Sequence, residues 1–146
     1  MRKIFKISVL TLLIIGLGAT LFFLSNGELT RADVPKDVPI ISGKILAIET
    51  FRSDELNRGI EIAVETNLSI PEVAQYYTDE FAKRGIKPFG IPAFWGNDRD
   101  LESSTEASGG GETRNRQQVM VQIQSEAPIT LVRISVLGDS MISLPK

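Results

Sequence analysis

The chain has 146 residues with no cysteine, no histidine and a formal net charge of −2, a length that fits one domain. The two missing residue types remove disulfides, the usual thiol nucleophile, the usual general base and nearly every transition-metal site. All 18 acidic residues but only 13 of the 16 basic ones lie after position 27, and an acidic remainder of that kind speaks against nucleic acid or anionic lipid, both of which need basic patches.

Residues 1–6 carry Arg2, Lys3 and Lys6, and an uncharged, mostly apolar run of 18 residues follows from Ile7 to Leu24. As a helix that run rises about 27 Å, close to the hydrocarbon thickness of a bilayer. Basic flanks stay on the cytoplasmic side, so the expected order is a cytoplasmic basic tail (1–6), a single transmembrane anchor (7–24) and an extracytoplasmic remainder. A secretory signal has the same polarity, but its apolar core runs about 7–15 residues and ends at a small-x-small site. Gly16-Leu17-Gly18, Ser25-Asn26-Gly27 and Thr30-Arg31-Ala32 all match such a site poorly. An uncleaved anchor is the reading, with secretion after cleavage as the alternative. Gly16 and Thr20 lie four apart, a spacing too common in membrane helices to indicate dimerisation.

Residues 25–40 include Pro35 and Pro39 and little apolar periodicity, which predicts an extended, partly stiff spacer. The domain proper is expected at 41–138. Ile41 to Phe51 is rich in aliphatic residues, and Ile60, Ile62 and Val64 alternate with Glu61, Ala63 and Glu65, the period of a strand with one dry face. The polar stretch between them reads as a hairpin turn.

A helix over Ile70 to Arg84 is the clearest element. Ser69-Ile70-Pro71-Glu72 is a capping box, Pro71 sits in the first turn where its missing N–H is not needed, and Gly85 suits the left-handed stop. Ile70, Val73, Ala74, Tyr77 and Phe81 form an apolar stripe. Ile86 to Trp95 is apolar but broken by Pro88 and Pro92, so any strand there is irregular or at an edge. The Gly- and Ser-rich segment 97–116 reads as a mobile loop. Val119, Val121 and Ile123, then Val132, Ile134 and Val136, mark a second hairpin turning at Ser125 to Pro128, with a frayed tail over 139–146. The order β-β-α-β-β-β gives an α+β two-layer sandwich, an antiparallel sheet with one helix on one face.

Candidate chemistry is sparse. Asp98, Asp100 and Glu102 alternate as in a calcium loop, but Ser103 stands where that loop needs Gly and Gly109 where it needs Glu, so a solvated acidic loop is the reading. Gly109-Gly110-Gly111 lacks the Lys and Ser/Thr of a phosphate loop and reads as linker. Asn67-Leu68-Ser69 is a formal glycosylation sequon whose Ser69 is better explained as the helix cap. The acid pairs Asp54/Glu55 and Asp79/Glu80 are adjacent in sequence rather than facing across a cleft, and read as surface. Phe89, Ile91, Phe94 and Trp95 are expected to close the core, because a small domain needs its aromatics. The functional alternative is an aromatic contact for a partner at Phe94 and Trp95, with Trp95 the most exposed of the four.

These residues predict a non-catalytic module of a bacterial-type cell envelope, membrane-anchored, binding another envelope protein, with no cofactor and no nucleic acid. The alternative is a binding module for a small molecule or cell-wall glycan on the open sheet face near Trp95. A hydrolase using Asp or Glu is the third reading and requires two carboxylates about 5–10 Å apart in one pocket.

Overall fold

A computed structural model describes residues 29–52, 58–96 and 100–138. The proposed anchor at 7–24, the tail at 139–146, the Asp54/Glu55 turn and the start of the acidic loop at 97–99 lie outside the described residues. Among the described residues no helix is long and apolar enough to cross a membrane.

The alternating segments form strands, as their period requires. β1 (Lys44–Arg52) pairs antiparallel with β2 (Arg58–Thr66), and β6 (Gln118–Glu126) with β7 (Ile129–Gly138). The two hairpins join through β2 and β7, placing Ile60 opposite Val136, Ile62 opposite Ile134 and Val64 opposite Val132. With Val119, Val121 and Ile123 of β6 these side chains are fully or almost fully buried. Each contributes roughly 1.5–3 kcal/mol on leaving water.

Helix α1 (Ile70–Arg84) covers that dry face. Glu72 accepts from both the N–H and the hydroxyl of Ser69, each at 2.7 Å, and Gly85 ends the helix with φ 67°. The expected stripe of Ile70, Val73, Ala74, Tyr77 and Phe81 is the buried one. Tyr77 packs edge-on to Phe81 and Tyr76. Burial raises the Tyr77 hydroxyl pKa, and the Ile41 backbone lies near that hydroxyl without making a well-formed hydrogen bond.

Three strands rather than one separate the helix from β6. β3 (Lys87–Pro88) and β4 (Phe94–Gly96) lie end to end along the outer edge of β5 (Glu106–Glu112), giving a seven-stranded sheet ordered β1-β2-β7-β6-β5-β3 with β4 also on β5. The prolines do break the edge, as expected. Strand β5 runs through the segment 97–116 that composition marks as a mobile loop. The physical reason is close packing. A Cβ on Gly109 would meet the Phe94 ring and the Ala93 carbonyl, and one on Gly111 would stand 2.8 Å from Ile86 Cγ2. The glycines fit a strand wedged between its neighbours and the core aromatics, and their role is close approach rather than flexibility. A turn with Arg116 at φ 60° then leads into β6, the Thr113 N–H bonding the Gln117 carbonyl at 2.8 Å.

The expected spacer is also folded for much of its length. Thr30 caps a short 3-10 turn at Arg31–Asp33, after which Val34, Val38 and Ile41 are buried in the core. The Tyr76 hydroxyl donates to the Ile40 carbonyl at 3.1 Å, Arg84 Nη1 to the Lys36 carbonyl at 2.8 Å, and Asn115 Nδ2 to Asp37 Oδ2 at 3.1 Å. These contacts strap residues 34–41 to the middle and the C-terminal end of α1 and to the β5–β6 turn. The packed core thus takes in residues from Val34 onward.

Candidate functional site

Because successive strand residues point to opposite faces, burying one face of this sheet presents the other to solvent. Registers read across the strands define its rows. One runs Trp95, Ser108, Gln122, Arg133, Ala63, Ala47, and the next Gly110, Met120, Ser135, Glu61, Glu49. The helix does not cover these rows, so the open face is mostly polar over β6, with apolar side chains at its β3–β4 corner.

That corner carries three of the five exposed large apolar residues among those described, Leu46 and Leu68 lying elsewhere. Between β3 and β4 the chain leaves the sheet over residues 89–93, with the Phe89 N–H bonded to the Gly110 carbonyl at 3.0 Å. Phe89 is 53% exposed, Ile91 95% and Trp95 48%. A Cβ on Gly110 would lie 3.2 Å from Phe89 Cδ2 and 2.9 Å from Met120 Sδ, so the phenyl ring rests over a glycine on the open face. The Trp95 indole nitrogen stands 3.5 Å from the Cβ position of Gly90, folding the tryptophan beside the excursion. Together the three form an apolar lip.

The residues proposed as a partner contact, Phe94 and Trp95, separate here. Phe94 is 3% exposed and packs against Tyr77 and Phe81, with ring centroids 6.2 and 6.1 Å away. It belongs to the core, and only Trp95 is available to a partner. Phe89 and Ile91, expected to close the core, are on the outside instead. A two-residue period was present in the sequence: Ile86 and Phe94 fall on one parity, and Phe89, Ile91 and Trp95 on the other. Pro88 and Pro92 obscured it.

Beyond Trp95 lies an open groove of about 380 Å³, bordered by Trp95 and Gly96 and floored by Glu106, Ser108, Gln122 and Gln124. Ser108 is opposite Gln122, and Glu106 opposite Gln124. None of these four side chains makes a hydrogen bond or ion pair among the described residues. Sequence reading missed Glu106 and Ser108 because their strand looked like linker. The exposed glutamine row of β6 was visible in its alternation.

The remaining candidates are dispersed. Asp79 lies on the outer helix face and accepts from Gln75 at 2.8 Å. Glu80 binds Lys83 at 2.9 Å and Arg84 at 3.1 Å, and those hydrogen bonds hold its carboxyl below the ordinary range. Asp100 accepts from the Glu102 amide. Among the described residues no group of three acidic side chains converges as a metal site requires. Asn67 is exposed, while the Ser69 hydroxyl is engaged with Glu72. No family model, no curated protein and no solved structure matches this chain.

Proposed function

We propose that this chain is a membrane-tethered, non-catalytic module of a cell envelope, held by one helix over 7–24 with its N-terminus cytoplasmic, and that its folded domain docks another envelope protein. The observation that carries the reading is the lip. Three of the five exposed large apolar side chains among the described residues, Phe89, Ile91 and Trp95, stand together in water at one corner of the domain, the other two being Leu46 and Leu68. Aromatic and aliphatic residues grouped in this way are the usual anchors of protein interfaces. Absence of histidine and cysteine from the sequence agrees with a binding role.

The test is photocrosslinking in intact cells with a photoreactive residue in place of Ile91. The expected result is a discrete adduct that Phe89→Ser diminishes. No adduct at Ile91, or an equal yield from the same residue at Asp79 on the outer helix face, overturns the proposal.

A further inference from the structure

The groove on the far side of Trp95 has a chemistry unlike the lip. Its floor is a square of four side chains, Ser108 beside Gln122 and Glu106 beside Gln124. Neighbouring strands are about 4.8 Å apart and same-face residues about 6.8 Å apart along a strand, so four polar groups occupy a patch the size of a small ligand. Trp95 is opposite Ser108 on the outer side and forms the wall. The volume of about 380 Å³ lies within the range of roughly 300–1,000 Å³ that holds small ligands.

Each glutamine amide offers two donors and an acceptor oxygen, the serine hydroxyl both donates and accepts, and the carboxylate accepts. Exposed glutamines alone are ordinary solvated surface. An indole bordering the same groove as these amides narrows the choice of ligand. An apolar ligand would desolvate four polar groups without pairing them. An anionic polymer would meet Glu106 with no Lys or Arg in the lining, the nearest cation on that row being Arg133, beyond Gln122. A basic peptide would find a single carboxylate.

We infer that the groove binds an uncharged, linear carbohydrate. A sugar ring has an apolar C–H face and a rim of hydroxyls that both donate and accept. The first stacks on an indole and the second pairs with amides and hydroxyls. This goes beyond the protein-docking reading and shares with it only Trp95.

The chain's single tryptophan makes its own emission a reporter of the groove. The full chain in nanodiscs is titrated with chitohexaose, with cellohexaose and with muramidase-released wall fragments, and polyglutamate serves as the anionic control. The first two separate a need for N-acetyl groups from recognition of any neutral glycan. A saturable emission change is expected with at least one neutral oligosaccharide and none with polyglutamate. The Gln122→Ala/Gln124→Ala double variant weakens it about tenfold, the loss of one or two hydrogen bonds. Its thermal unfolding and its crosslinking through Ile91 stay unchanged. Phe89→Ser leaves the sugar titration intact. No saturable change with any neutral oligosaccharide, or a change indifferent to the glutamine variants, overturns the inference and leaves the lip standing. Loss of the protein adduct in the glutamine variants, without a sugar response, assigns the groove to the protein partner instead.

Discussion

Phe94 and Gly109 face each other across β4 and β5, and Phe94 Cδ1 stands 2.5 Å from the position a Cβ on Gly109 would take. The ring occupies the side-chain space that the glycine leaves empty, between the strand and the helix residues Tyr77 and Phe81. Two further pairs repeat the device on the open face, Phe51 over Gly59 and Phe89 over Gly110. An aromatic lying over a strand glycine shields backbone that would otherwise be bare.

Gly109→Ala is therefore expected to destabilise the domain by about 1–3 kcal/mol through overpacking. Denaturant midpoints of purified chain measure it. Shrinking the ring with Phe94→Leu in the same chain recovers part of the loss, because the two substitutions share one volume. Additive effects would mean that the ring and the strand do not compete for that space.

Residues 34–41 are a structural strap, and the expected cost of loosening them follows from burial. Ile41→Ala, at a site almost fully buried, is expected to cost about 2–5 kcal/mol. Replacing residues 34–40 by a Gly/Ser sequence of equal length lowers the unfolding midpoint and reduces hydrogen-exchange protection in α1. A true spacer would tolerate that replacement without change.

Legibility differed between elements for physical reasons. The helix announced itself because Ser69, Pro71, Glu72 and Gly85 are local signals acting within one turn of their own positions, and the two hairpins because Ile60 to Val64 and Val132 to Val136 keep strict alternation. Strand β5 was hidden because its fit depends on Ile86, Phe94 and Val119, residues that composition within 106–112 cannot register. The strap was hidden likewise: Val34, Val38 and Ile41 are buried by tertiary contact without regular structure. Of the candidate site, Trp95 was readable as the exposed aromatic, while the Glu106/Ser108 half of the groove disappeared with β5.

Acid should weaken the helix cap. The Ser69 backbone N–H, and then its hydroxyl, bond Glu72 and hold that carboxyl below its ordinary value of 4.5. The unfolded chain thus takes up this proton at higher pH than the folded one. The contribution is complete above about pH 4.5 and is lost as pH falls through the lowered folded value. Glu72→Gln is expected to be less stable than the parent near neutrality, with the gap closing in acid. Urea midpoints of both chains at a series of pH values check the sign, and a gap that widens in acid contradicts the cap.

Ile91 and Phe94 lie three residues apart and should respond oppositely to substitution. Phe94→Ala removes a ring from the core and is expected to cost about 3–5 kcal/mol. Ile91→Ser alters a side chain that is 95% exposed and should change unfolding free energy by no more than about 0.5 kcal/mol. Such neutrality would leave the isoleucine without a packing role at that position. It should also weaken partner capture when the photoreactive residue is moved to Phe89, because the lip loses its aliphatic side chain while the fold stays intact. A cost of several kcal/mol at Ile91 would make it part of the packing and remove the lip as a free surface.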